Sequence, residues 1–132
     1  MRITQHEIEI RVRYPEADPG GYLHHANYFI YFEMGRTELL RANGRSYKED
    51  MESAGRFIVV VRTECRFHRP ARYDDLLRLR TVVARVRAAR VEHEYSLFRG
   101  DELLAEAKVV LCCVDKEGQP QRLPDWMLDE PA

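Results

Sequence analysis

Between residues 57 and 114 the chain reads as strand almost without interruption, and one long helical segment precedes that stretch. Four runs alternate apolar and polar residues with a period of two. Phe57–Arg69 carries Val59, Val61, Thr63, Cys65 and Phe67 on one face, and Leu76–Arg87 alternates Leu77, Leu79, Thr81 and Val83 with Arg78 and Arg80. Val91–Arg99 presents Val91, His93, Tyr95 and Leu97; Leu103–Val114 presents Ala105, Ala107, Val109, Leu111 and Cys113. The turns between them, such as Gly100-Asp101, are short, and short connections favour antiparallel neighbours over parallel crossovers.

Upstream, Ile8, Ile10 and Val12 alternate with Glu7, Glu9, Arg11 and Arg13, which predicts a first strand over 7–13. Pro15 ends it. From Asn27 to Asn43 the period becomes helical: Tyr28, Phe32, Gly35 and Leu39 share a face, and Phe29, Ile30, Met34 and Leu40 widen it. Asn43-Gly44 is a stop signal, and Ser46 with Glu49 resembles a capping box opening a short second helix that ends near Gly55. The expected fold is therefore α+β: a five-stranded antiparallel sheet around one long helix, plus a short second helix. One helix cannot cover five long strands, so the remaining sheet edge or face is expected to pair with a second subunit, with a homodimer as the minimum unit and a homotetramer as the expected assembly.

At 132 residues the chain is read as one domain, 1–132, with residues 119–132 as a Pro-rich tail anchored by Trp126. Such a chain buries about two thirds of its unfolded surface and needs neither disulfide nor metal to fold. Three cysteines, two of them adjacent at 112 and 113 in an apolar run, read as buried thiols in a reducing compartment. With no apolar leader and no membrane-length segment, a cytoplasmic protein is expected. The net charge of −1 is unevenly spread: residues 56–99 hold eleven arginines against five acids, and residues 101–132 hold three bases against eight acids. The basic stretch suits a phosphate-bearing ligand, and solvated strand faces explain it equally well. Nucleic acid is not expected, since the chain is not basic overall and carries no recognition motif.

Chemistry concentrates between the first strand and the helix, in Asp18-Pro19-Gly20-Gly21-Tyr22-Leu23-His24-His25-Ala26-Asn27-Tyr28. A carboxylate on a tight turn just ahead of a helix start can hold a carbonyl group between acid and helix dipole. By itself Asp18 also reads as a turn former, and His25 as a cap or loop filler. His24 is read as structural and His93 as a satisfied interior histidine. The two adjacent histidines lack a third ligand, so no metal is expected. No cysteine sits beside an activating histidine, and neither a nucleophile elbow nor a phosphate loop is present.

Two motifs at this spacing carry a resemblance. The first runs from Arg13-Tyr14-Pro15-Glu16-Ala17-Asp18-Pro19-Gly20-Gly21 through His25-Ala26-Asn27-Tyr28 to Glu33, Arg36-Thr37-Glu38 and Leu40. The second is Phe67-His68-Arg69-Pro70-Ala71-Arg72-Tyr73-Asp74-Asp75-Leu76-Leu77. Over roughly residues 5–118 the chain resembles the hotdog-fold acyl-CoA thioesterases of the 4-hydroxybenzoyl-CoA thioesterase family, and within it the Tol–Pal-associated branch. One departure is Glu16, where many relatives carry Asp; Pro15 is another.

The resemblance implies that Asp18 is the catalytic aspartate, that the amide at His25 polarises the thioester carbonyl, and that the His25 side chain assists. Gly21, Asn27 and Tyr28 fall at the substrate side of the loop and helix start. Phe32 is expected with Tyr28 along the acyl tunnel, although core packing explains both equally. Arg69, Arg72, Arg87 and Arg90 are the candidates for the phosphates of coenzyme A. The implied reaction is hydrolysis of an acyl-CoA to a carboxylic acid and coenzyme A, with no metal or redox cofactor. Asp18 acts there as general base or as nucleophile, both of which fit. Carrier-bound acyl substrates, a hotdog dehydratase and a non-catalytic acyl-CoA binding module are the rival readings.

Overall fold

A computed structural model describes residues 1–128. Strand β1 (Gln5–Arg11) leads to helix α1 (His25–Ala42), then to β2 (Phe57–Phe67), β3 (Leu76–Arg87), β4 (Arg90–Arg99) and β5 (Glu102–Val114), with a short α2 (Asp125–Leu128) after them. The strands form a single antiparallel sheet in the order β1-β3-β4-β5-β2. Tight turns after β3 and β4 make the central three strands a meander. Strands β1 and β2, separated in sequence by α1, take the two edges.

The sheet curls around α1, which buries Tyr28, Tyr31, Phe32 and Leu39 against Leu77, Leu79, Tyr95, Leu97 and Leu111. Each of these side chains contributes roughly 1.5–3 kcal/mol by leaving water. The helix lies close against the sheet at Gly35, where a Cβ would stand 2.5 Å from Thr81 Oγ1 and 2.8 Å from a Leu79 methyl. The wrapped-helix arrangement expected from the sequence is present.

Four details differ from the sequence expectation. Helix α1 starts at His25 rather than Asn27, because the His24 ring Nδ1 accepts the Ala26 amide at 3.2 Å and caps the helix two residues earlier. In β2 the register jumps between Val60 and Arg62, so Val61 is an extra residue that reverses the alternation. Opposite Cys113, Leu111 and Val109 stand Ile58, Val60 and Thr63, not Val59 and Val61. Ser46 does cap a helical turn (Tyr47–Met51, of π type, then Glu52–Ala54), but the reciprocal carboxylate on its own amide is Asp50 at 2.6 Å, not Glu49. The tail packs: Leu123 and Met127 are buried, Trp126 is half-buried with the Arg45 guanidinium over its ring, and residues 129–132 lie outside the described residues.

Edge strand β2 leaves Val59, Val60, Val61 and Phe67 exposed, and the neighbouring flank of α1 leaves Phe29, Ile30 and Met34 exposed. No described helix is long and apolar enough to cross a membrane.

Candidate active site

Residues 16–24 fold back on themselves as a small hairpin. Ala17 bridges Leu23, the Asp18 amide donates to Tyr22 O at 2.7 Å, and the His24 amide donates to Glu16 O at 3.0 Å. Gly21 adopts φ 83° at the tip, a conformation open to glycine at little steric cost. The Asp18 carboxylate spends one oxygen on this turn: Oδ1 accepts the amides of Gly20 at 2.9 Å and Tyr22 at 3.1 Å. Its Oδ2 has no partner among the described residues, so the loop holds a carboxylate in place while leaving one oxygen open to solvent or substrate.

The start of α1 is equally selective. Its amides would all lack helical acceptors, yet Ala26 N is taken by the His24 ring and Asn27 N by His24 O at 2.9 Å. His25 N alone of these three is without an acceptor among the described residues. It stands at the positive end of an 18-residue helix. The exposed His25 ring stacks on that of His24 at 4.4 Å.

Glu16 holds loop and helix together, a role invisible as such in the sequence. Glu16 is 8 % exposed. Oε1 accepts Tyr31 Oη from inside α1 and the Arg13 amide, both at 2.8 Å, while Oε2 meets the Arg13 guanidinium at 3.1 Å. Burial alone would raise its pKa, but the Arg13 and Tyr31 hydrogen bonds and the guanidinium charge outweigh it and hold the carboxyl below its ordinary value. Glu16 O also accepts Asn27 Nδ2 at 2.8 Å. The available signal was an acid three residues after Arg13 in a Pro-bearing turn, a capping-box pattern.

The remaining candidates divide. The amide of Asn27 is committed to Glu16, so it positions the loop. Tyr28 is buried, accepts the Ala71 amide at 3.3 Å and packs edge-on against Phe67. Phe32 is buried and stacks on Tyr95 at 4.7 Å, while its edge faces a hollow between α1 and β2. The 68–75 segment frames the loop through Leu23 N on Ala71 O and Tyr73 N on Gly21 O. Arg99 braces that segment on Asp75 and Glu102 at 2.7 and 2.6 Å, a second positioning residue the sequence reading did not single out. Arg72 lies over the Tyr22 ring, beside the Asp18 loop, and Arg69 pairs with Glu102 at 3.3 Å. Arg87 and Arg90 face each other at the far end of the 12-residue β3, roughly 36 Å away by strand rise. One subunit does not bring all four arginines to one phosphate group.

Burial pushes the Cys65 thiol up to about 11, so it is a packing residue and not a nucleophile. Burial, then the nearby Arg36 charge, pushes His93 down to about 3, which keeps the ring neutral.

Comparison with known proteins identifies the family. The sequence profile of the thioesterase superfamily matches residues 20–110. The acyl-CoA thioester hydrolase YbgC of Escherichia coli is 32% identical over 132 residues, covering 98% of each chain. The acyl-CoA thioesterase YbgC of Haemophilus influenzae is 35% identical over 106 residues, covering 80% of this chain and 78% of the other. Among solved structures, a probable thioesterase from Bartonella henselae superposes with a TM-score of 0.85 at 35% identity, covering 91% of this chain and 99% of that one. With an open carboxylate oxygen and an open helix amide carried on a sheet-wrapped helix, the chain belongs to the thioesterase superfamily and has its hotdog fold.

Proposed function

We propose that this protein hydrolyses acyl-CoA thioesters to a carboxylic acid and coenzyme A, the substrate class named for its YbgC relatives. The carrying observation is that one short segment presents a single open carboxylate oxygen, Asp18 Oδ2, and a single open amide, His25 N–H. Attack on a thioester carbonyl develops negative charge on oxygen, and a fixed amide at a helix N-terminus stabilises it without reorganisation. Asp18 then removes a proton from the attacking water, or attacks the carbonyl carbon itself to form an anhydride that water opens. The His25 ring, exposed at the same mouth, assists as the thiolate leaves. Neither route calls on a metal or redox cofactor.

The protein acts as a homodimer joined along β2, and the homotetramer is built from such dimers. The exposed valines of β2, continuous with Phe29, Ile30 and Met34, form an apolar edge of the kind that pairs with a copy of itself. Coenzyme A then meets Arg72, beside the Asp18 loop, and the nearby Arg69. The nucleotide is left free of Arg87 and Arg90 of the same chain. Such a protein works in the cytoplasm, where acyl-CoA is made.

The test is thiol release from acyl-CoAs spanning acetyl to palmitoyl, with benzoyl and 4-hydroxybenzoyl, for wild type and Asp18→Asn. Turnover lost by a factor of about 100 or more in Asp18→Asn, with binding retained, is expected. Turnover indifferent to Asp18 overturns the mechanism. Release only from carrier-bound acyl groups would transfer the reading to that substrate.

A further inference from the structure

A cavity of about 200 Å³ lies between the C-terminal half of α1, the Tyr47–Met51 turn and the inner face of the sheet. Its walls are largely apolar, with Leu40, Ile58, Val91 and Leu111 among them, but Arg36 and His93 open onto it. His93 is 6 % exposed; its Nδ1 meets Tyr95 Oη at 3.1 Å, and its Nε2 has no partner among the described residues. Tyr95 is buried, and burial raises the pKa of its hydroxyl while the Arg36 charge acts against that rise. Arg36 itself has no carboxylate within ion-pairing distance among the described residues, although nine other arginines do. Glu33 lines the mouth one turn earlier, is exposed, and does not pair with it.

The cavity adjoins a second hollow that runs along α1 toward the helix start. The hollow between α1 and β2, lined by Phe29, Phe32, Val60 and Thr63, shares Glu33 and Arg36 with it. That hollow begins one helical turn after His25. From His25 to Arg36 the helix rises roughly 16 Å, the span of about a dozen bonds of extended chain. A half-buried guanidinium left without its counter-anion, next to an open neutral imidazole nitrogen, is a built receptor for a carboxylate.

We infer that this cavity receives the far end of the acyl group and that Arg36 and His93 select an acyl group whose far end carries a carboxylate, the monothioester of an α,ω-dicarboxylic acid. The inference rests on the thioesterase reading for the chemistry at Asp18 but not for the binding. The carboxylate takes two hydrogen bonds from the Arg36 fork, and His93 Nε2–H donates a third. The Tyr95 hydroxyl donates to Nδ1 and so holds the imidazole in the tautomer with its proton on Nε2.

Thiol release from length-matched pairs tests it: alkanoyl-CoA against ω-carboxyalkanoyl-CoA, six to fourteen carbons, for wild type, Arg36→Met and Arg36→Lys. The wild type is expected to favour the carboxylated member by about 10-fold or more in kcat/KM at the longer lengths. Arg36→Met should bring that ratio below one, with Arg36→Lys between. A wild-type ratio of one or less at every length, or a ratio unmoved by Arg36→Met, overturns the inference. Calorimetric binding of free dodecanedioate, against dodecanoate, separates it from the thioesterase reading. Arg36-dependent binding without turnover of any thioester leaves the receptor standing and removes the enzyme, whereas turnover with no preference for dodecanedioate does the reverse. Should Arg36→Met not fold, the wild-type ratio and Arg36→Lys still decide.

Discussion

Tyr31 Oη, on the second turn of α1, donates to Glu16 Oε1 at 2.8 Å, and this bond crosses from the helix to the loop that carries Asp18. Burial, and then the hydrogen bond to Glu16, raises the Tyr31 pKa, so the phenol stays a donor. Because Glu16 O also accepts the His24 and Asn27 groups, one residue sets the distance between the Asp18 carboxylate and the open helix amide.

Tyr31→Phe and Glu16→Gln should therefore lower kcat more than they raise KM, by about 10- to 100-fold, since a misplacement near 1 Å has that effect. Glu16→Asp should also lower kcat, because the shorter arm cannot reach both Tyr31 and the Arg13 amide. Steady-state kinetics beside melting curves check this. Loss of stability with unchanged kcat would reduce Glu16 to a scaffold residue.

His25→Pro separates the backbone donor from the side chain. Proline suits the first helical position, and His24 already sits at φ −62°, ψ 135°, which is compatible with a following proline. The variant should fold normally while kcat falls about 100- to 1000-fold, the loss typical of one oxyanion donor. His25→Ala keeps the amide and should lose less. Equal losses in the two variants would place the catalytic role in the imidazole.

Gly35→Ala should destabilise the fold by about 1–3 kcal/mol. Alanine in place of glycine improves helix propensity by nearly 1 kcal/mol, but a Cβ 2.5 Å from Thr81 Oγ1 forces helix and sheet apart. Denaturant melts should show the double variant Gly35→Ala/Thr81→Ala regaining part of the loss. A stabilised single variant would contradict the packing.

Stability should fall as pH drops. The folded pKa of His93, about 3, lies below its ordinary 6.5. Between those values the unfolded chain takes a proton that the folded chain refuses, so stability is full above 6.5 and drains away toward 3. Glu16 adds a second loss only below its ordinary 4.5, because its folded pKa is lowered and protonation removes the ionised latch. Urea melts from pH 7 to pH 5 should show a slope in wild type that His93→Gln flattens. An equal slope in both would remove His93 as its source.

Local pattern carried the helix, the strands and the Asp18 turn, because periods of 3.6 and 2 and the turn chemistry of Asp-Pro-Gly-Gly are properties of neighbouring residues. The His24 cap and the early helix start were within reach of the same local rules, since the cap spans two residues. The Val61 bulge was not. Valines 59, 60 and 61 are alike in sequence, and only pairing with β5 decides which of them is the extra residue. Nor could pattern show that Glu16 and Tyr31, fifteen residues apart, meet, or that Arg36 reaches Tyr95 across the helix–sheet interface. A hydrogen bond or ion pair between distant segments depends on strand order, register and the closeness of approach that Gly35 permits. Periodicity states which face a residue occupies, and only the packed fold decides what it faces.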